Sequence, residues 1–192
     1  MRIISGKYKG YRLNIPKNYL IRPTTDRFKE ALFSIISSEK YSSNIDGKYF
    51  LDLCSGSGGI GIEALSRGAK KVYMIDKNQN SINLINKNLS KISLNVEIGK
   101  KIFILKQDIT NIEKLTLPQF DFIYFDPPYN ANIYSPVLKI ISDNKILKEK
   151  GIILVETNQL INIDKLNLEH IFFKKIGSSY LQCFKKLLCP LK

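Results

Sequence analysis

A chain of 192 residues with 44% apolar side chains has room for one full hydrophobic core, and a second domain is not expected. Cys54, Cys183 and Cys189 are scattered with no CxxC pair, and His170 is the single histidine, which argues against a disulfide framework and against a metal site. The net charge of +13 favours a polyanionic partner, because every neutralised phosphate releases counterions, while a bias towards Lys, Asn and Ile from genome composition would account for part of the lysine content as plain surface. No apolar run approaches the length of a membrane span, and residues 1–6 lack the apolar centre of a leader peptide. A soluble, cytoplasmic monomer that does not engage a membrane is expected.

Residues 2–15 are short of apolar length and interrupted by Gly6 and Gly10, which fits a small hairpin or extended arm carrying Lys7, Lys9 and Arg12. Arg22-Pro23-Thr24-Thr25-Asp26 reads as a turn into a helix start, with a threonine cap and an acid near the positive end of the helix. Phe28, Ala31, Leu32, Ile35 and Ile36 share one face, so the spacing predicts a helix over 26–38. After the polar stretch 41–48 the chain alternates. Strands are predicted at 49–54, 72–76, 101–107, 120–125 and 152–156, and helices at 59–67, 79–92 and 134–143, with Pro136 tolerated in a first turn. Residues 158–167 read as a loop around a weak helix. Two closing strands at 170–175 and 180–188 are expected to run antiparallel to each other. Such alternation predicts an α/β fold whose mostly parallel sheet is covered on both faces and takes its ligands at the carboxyl ends of the strands. Residues 1–40 then form an arm and first helix, and 48–192 the catalytic sheet.

Two motifs fall at predicted strand ends. The first is Asp52-Leu53-Cys54-Ser55-Gly56-Ser57-Gly58-Gly59-Ile60-Gly61, a glycine turn of the kind that cradles a nucleotide-like cofactor. It also satisfies the GxGxxG fingerprint of NAD enzymes, so alone it is weak. Asp76, ending the next strand, would bind ribose hydroxyls under either reading. Asp52 tilts the balance, since it offers a counter-charge to a cationic amino acid moiety and would repel a pyrophosphate. Asp108, after the third strand, is placed to accept from an adenine amine, or else merely caps the next segment.

The second motif is Asp126-Pro127-Pro128-Tyr129, directly after the run 120–125. A carboxylate, two prolines that fix the backbone and an aromatic face make a clamp for a flat ring bearing an exocyclic amine: Asp126 accepts from the NH2 and Tyr129 stacks on the ring. An ordinary strand-to-loop turn would need no aromatic after two prolines. Glycine turn and clamp together read as an S-adenosylmethionine-dependent amino-methyltransferase.

At this point the chain resembles a known family. Arg2 through Lys7, Arg22-Pro23-Thr24-Thr25-Asp26-Arg27, Glu30-Ala31-Leu32-Phe33, the run from Asp52 to Gly61, Glu63 through Ala69, and Asp126 through Tyr129 are similar to the bacterial 16S ribosomal RNA guanine-966 N2-methyltransferases, over nearly the whole length. The Asp-Pro-Pro-Tyr string is shared by many amino-methyltransferases, and the Arg-Pro-Thr-x-Asp-Arg segment is more particular to this family. The resemblance implies a class I methyltransferase fold with a Rossmann-like seven-stranded sheet and S-adenosyl-L-methionine as donor. It also implies transfer to the exocyclic N2 of a guanine in 16S rRNA, within the small ribosomal subunit or its precursor. The site would comprise Asp126, Pro127, Pro128 and Tyr129 for catalysis and Asp52, Ser55, Gly56, Gly58, Asp76 and Asp108 for the cofactor. Asp76 stands where such enzymes often carry Glu, and Ile176-Gly177-Ser178-Ser179 replaces a more usual Tyr-Gly-x-Thr, which leaves the role of the C-terminal hairpin open.

Under that resemblance Lys7, Lys9, Arg12, Arg22 and Arg27 are candidates for holding rRNA phosphates, with Arg22 and Arg27 the better two because the family-like segment contains them. Glu156, ending the fifth strand, either contacts substrate or caps a neighbour. The nearest rival is an adenine-N6 or cytosine-N4 DNA methyltransferase acting on a flipped base, which usually adds a target-recognition domain for which 192 residues leave no room. An NAD oxidoreductase is disfavoured by the Asp126 motif, and a non-catalytic RNA-binding module by the intactness of both motifs.

Overall fold

Strands that are apolar on both faces must be covered on both faces, and here the central ones lie within a single seven-stranded sheet. The computed structural model describes residues 1–15, 25–38, 44–128 and 132–187. The strands are β1 (Tyr49–Leu53), β2 (Lys71–Asp76), β3 (Ile102–Lys106), β4 (Phe120–Phe125), β5 (Leu147–Thr157), β6 (Leu168–Ile176) and β7 (Ser179–Lys186), in the order β3-β2-β1-β4-β5-β7-β6. The first five pair in parallel, and β7 runs antiparallel to both β5 and β6. Because side chains alternate, β1 sends Phe50 to one face and Leu51 to the other, and each face builds its own core. Helices α1 (Asp26–Ile36), α2 (Gly59–Ser66) and α3 (Gln79–Lys91) cover the first face, where Leu32, Phe33, Ile60 and Ile85 pack with Phe50, Met74, Phe122 and Leu154. Helix α4 (Tyr134–Asp143) and a 3-10 stretch at Ile109–Lys114 cover the second, where Val137, Ile141 and Ile112 meet Leu51, Ile123 and Val155.

The predicted elements are present with shifted ends. Thr25 caps α1 by accepting from the Phe28 N–H at 3.2 Å. Strand β5 begins at Leu147, upstream of the expected Ile152, because the polar run Lys148-Glu149-Lys150-Gly151 stays in the sheet through a bulge against β4; Lys148 is held there by Asp121 at 2.8 Å. No helix forms in 158–167, which is a loop of turns tied to β7 through the Gln182 side chain, whose amide donates to Gln159 O at 2.8 Å and accepts from Ile161 N at 3.2 Å. Those bonds give the loop its order without helical pairing. The closing strand ends at Lys186, and Leu188 lies outside the described residues.

The arm at the amino terminus pairs with itself through one bridge, Arg2 to Arg12, and is fixed mainly by a buried ion cluster. Glu63 of α2, fully buried, accepts from the Ile4 and Ser5 N–H groups at 2.8 and 3.0 Å and from Arg67 Nε at 2.8 Å. Lys29 of α1, also fully buried, sits 3.9 Å from the same carboxylate and donates to Arg2 O. Burial pulls the Lys29 pKa down, opposed by Glu63 and then Asp26. Gly6 lets the arm press onto α2: its φ is +80°, and an added Cβ would lie 1.8 Å from Ser66 O.

Removing one partner of such a cluster leaves the others charged and buried. Glu63→Ala is expected to lower stability by about 3–5 kcal/mol in urea unfolding and to remove exchange protection from the Ile4 and Ser5 amides.

Candidate active site

Strand pairing brings four carboxylates to one edge of the sheet. Asp52, Asp76 and Glu156 continue the alternation of Phe50, Met74 and Leu154, so they fall on the face covered by α1, α2 and α3. Asp126 follows β4 directly, between β1 and β5 in the sheet. Its N–H faces Leu53 O at 3.4 Å, so the clamp motif and the glycine turn are lateral neighbours.

The turn is held by its own backbone geometry and by bonds to the flanking strands. Cys54 has φ +60° and Gly58, the cap of α2, has φ +76°; a Cβ at Gly58 would sit 3.1 Å from both Ile85 and Met74 side-chain atoms. The Ser55 hydroxyl donates to Asp52 O at 2.6 Å and to Ile75 O at 3.2 Å, so it closes the turn onto β1 and β2. Asp76 accepts from Gly56 N at 2.9 Å through one oxygen and from Asn78 N at 2.8 Å through the other. Each oxygen keeps a second lone pair. Asn88 of α3, fully buried, donates to Ser57 O at 2.9 Å and pairs with Asn14 of the arm through both its amide atoms, at 2.8 and 3.1 Å.

Asp52 lies beneath the turn. It is 1% exposed and accepts from the Gly61 N–H at 2.9 Å, so it anchors the first turn of α2. Burial, and then the Asp76 charge, push its pKa up to about 8, against the pull of the Gly61 hydrogen bond. Asp126 is half-buried, and its pKa is raised well above the usual carboxylate range by desolvation first, then by Glu156 and Asp52. Burial raises the Cys54 thiol, followed by the charges of Asp76, Asp126 and Asp52. A basic chain thus crowds its acids at this edge closely enough that two of them hold protons more tightly.

Glu156, undecided from sequence, accepts from the Tyr124 hydroxyl at 2.8 Å. Tyr124 was hidden inside an apolar run; its only signal was a hydroxyl in a strand buried on both faces. Asp108 does what a cap does: one oxygen accepts from Thr110 N at 3.0 Å and Thr110 Oγ1 at 2.8 Å, and the other faces Lys77 at 3.9 Å. Pro127 is buried and Pro128 exposed. Tyr129 and Arg22 lie outside the described residues, whereas Lys7, Lys9, Arg12 and Arg27 are all exposed. Two surface clefts of about 280 and 310 Å³ lie away from the carboxylates. Among the described residues no His, Cys, Asp or Glu cluster has the makings of a metal site, and no helix is long and apolar enough to cross a membrane.

Residues 1–185 match the family described as conserved hypothetical protein 95. The chain belongs to this family. A relative in Haemophilus influenzae, ribosomal RNA small subunit methyltransferase D, is 33% identical over 83% of this chain and 79% of its own. An uncharacterized methylase of Rickettsia prowazekii is 32% identical over 94% of this chain and 95% of its own. Among solved structures, a putative methyltransferase from Escherichia coli superposes with a TM-score of 0.80 at 24% identity, covering 97% of each chain. The family fold is therefore that of the S-adenosylmethionine-dependent methyltransferases, with the sheet mostly parallel.

The protonation of Asp52 can be read in solution. A carboxyl whose folded pKa is raised keeps its proton in the native state while the unfolded chain has released it, so stability falls as pH rises from the ordinary value near 3.8 to about 8. Asp52→Asn removes that loss. Its unfolding free energy is expected to gain on the parent as pH rises through this window, by at most about 1.4 kcal/mol per pH unit. Equal pH slopes in urea titrations of the two proteins would contradict this.

Proposed function

We propose that the chain transfers a methyl group from S-adenosylmethionine to the exocyclic N2 amine of a guanine in 16S rRNA of the small ribosomal subunit. The observation that carries the reading is the lateral contact between the Asp126-Pro127-Pro128 strand end and the glycine turn, which sets an amine acceptor beside a cofactor cradle. Membership of a family with relatives called ribosomal RNA small subunit methyltransferase D supports RNA as the substrate.

The residues present fit the cofactor by charge and by geometry. Asp52, Asp76, Asp126 and Glu156 would favour a sulfonium and an ammonium group and disfavour a pyrophosphate. Asp76, with its carboxylate already aimed by Gly56 and Asn78, would hold the ribose hydroxyls, and the backbone of Ser55, Gly56 and Gly58 would flank the amino acid moiety. Asp108 has one oxygen left beside its cap bonds for an adenine amine. When bound, S-adenosylmethionine supplies an electrophilic methyl group on a cationic sulfur.

An aromatic amine is a poor nucleophile, because its lone pair is delocalised into the ring. Hydrogen bonds from the N2 amine to the Asp126 carboxylate and the Pro127 carbonyl would turn that lone pair towards the methyl carbon. As the N–C bond forms, the C–S bond would break with its electron pair staying on sulfur, which leaves as the thioether of S-adenosylhomocysteine, and the amine proton would pass to the ionised Asp126 carboxylate. Desolvation and the Glu156 charge suit Asp126 to this role, since a carboxylate with a raised pKa is a stronger base. Tyr124 donates to Glu156 and so fixes that second charge behind the first. Positioning and electrostatics supply the rest of the rate. Exposed Lys7, Lys9, Arg12 and Arg27, with Arg22, would meet rRNA phosphates.

Asp126→Asn is expected to cut single-turnover methylation of small-subunit particles by roughly 10²- to 10⁴-fold. S-adenosylhomocysteine should bind it about as well as it binds the parent. Mass-spectrometric mapping of the product rRNA locates the methyl group, and transfer to any atom other than a guanine N2 would remove the assigned target. Asp76→Ala should instead weaken S-adenosylhomocysteine binding by about 1.5–3 kcal/mol in calorimetry, the loss of a hydrogen bond to a charged acceptor. Normal affinity for S-adenosylhomocysteine together with preferential NAD binding in that variant would exclude the methyltransferase reading.

A further inference from the structure

The β6–β7 hairpin contributes no carboxylate to the edge described above, yet its turn reaches that edge. Tyr180 lies beside Thr157 at the carboxyl end of β5 and pairs with Lys175 of β6, the outermost strand. Down one face of the hairpin runs a row of rings. His170 and Phe173 are parallel within 7° at 6.1 Å between centroids, Phe173 meets Tyr180 edge-on at 6.3 Å, and Lys175 Nζ stands 5.9 Å from the Tyr180 ring. Phe173 is 54% exposed, which is unusual for a phenylalanine on a strand that could pack it. Between this strand and α1, Lys174, Lys175 and Arg27 line the cleft of about 310 Å³ together with Ser34, and Glu30 is the one acid there.

The rings lie on the face of Phe184, opposite the α1 cleft, so the outer edge carries exposed rings on one side, ammonium and guanidinium groups on the other and Lys175 between them, a combination that matches the chemistry of a single-stranded nucleic acid. Each base offers a flat face for stacking, and each phosphate offers a charge to the lysines. A second copy of this chain fits poorly, because exposed lysines such as Lys174 and Lys175 on an outermost strand blunt it against pairing with another strand. From the position of the hairpin turn, beside Thr157 and one strand beyond β5, we infer that the unpaired RNA flanking the target guanine crosses this outer edge: His170, Phe173 and Tyr180 stack on bases on one face, and Lys174, Lys175 and Arg27 hold phosphates from the other. This rests on the RNA reading given above and adds the surface through which the strand is led to Asp126.

The test uses the full chain with a fluorescein-labelled single-stranded oligoribonucleotide of about twelve nucleotides, within the span such surfaces cover. Phe173→Leu keeps apolar bulk at a position more than half exposed, so it should melt like the parent while binding the oligonucleotide at least about fivefold more weakly, the low end of the cost of one lost stack. Phe173→Tyr should restore the binding. Lys174→Ala with Lys175→Ala should lower the log–log salt slope by about 1.4, two single-strand phosphate contacts. S-adenosylhomocysteine affinity should be the same in all of them. If the parent methylates small-subunit particles but the leucine and double-alanine variants bind and methylate like it, the hairpin surface is wrong and the proposed function stands. A parent that is dimeric in light scattering and becomes monomeric on Phe173→Leu would assign the surface to a second copy and overturn the inference. A parent that neither binds RNA nor methylates particles would end both.

Discussion

The pairing of β1 with β4 is the constraint on which the site depends. β1 also pairs with β2, so the chain leaves β1 in one direction and returns on its other side three strands later. Two sequence motifs more than sixty residues apart thereby end on adjacent strands, with only a backbone contact between Asp126 and Leu53 separating them. Sheets of this kind open a crevice where the strand order reverses, and the order β3-β2-β1-β4-β5 reverses at this pair. Nothing in the local sequence of either motif demands that adjacency. It follows from covering both faces of five parallel strands with short connections.

Crowding acids at that place has a cost, visible in the raised affinities of Asp52 and Asp126 for protons. The cost is tolerable because backbone donors are aimed at the same groups: Gly61 at Asp52, Gly56 and Asn78 at Asp76. A cation brought to this edge would relieve the repulsion between the carboxylates, which is a form of preorganisation towards a positive ligand. The net charge of +13 thus coexists with a group of acids brought together at one edge of the sheet.

Elements whose apolar spacing was regular were legible from the sequence almost to the residue: β4 and α4 have the expected bounds, and α1 begins at its expected cap. Strand β5 starts upstream of its apolar run, because Lys148 to Gly151 are polar and are carried in the sheet by pairing with β4 and by the ion pair with Asp121, both distant in sequence. The absent helix in 158–167 has the same cause, since Gln182 is supplied by another strand. In the candidate site, Asp126 carried its signal in its motif and Asp76 in its place at the end of the second predicted strand. Asp108 showed its capping geometry in the Thr110 that follows it. Glu63, Lys29 and Asn88 gave none, because a buried charge or amide is defined by the partners that satisfy it, and these lie on other elements.

Asn88 therefore has a consequence for how the molecule opens. A single side-chain amide closes the bond to Ser57 in the glycine turn and both bonds to Asn14 in the arm, while the Met1 side chain lies against Gly59. Local opening of a protein tends to follow cooperative units rather than single residues. Here the unit joins the first residues of the chain to a turn more than forty residues away, so the arm and the turn should share one opening free energy, and loosening either end will be felt as lost order at the other.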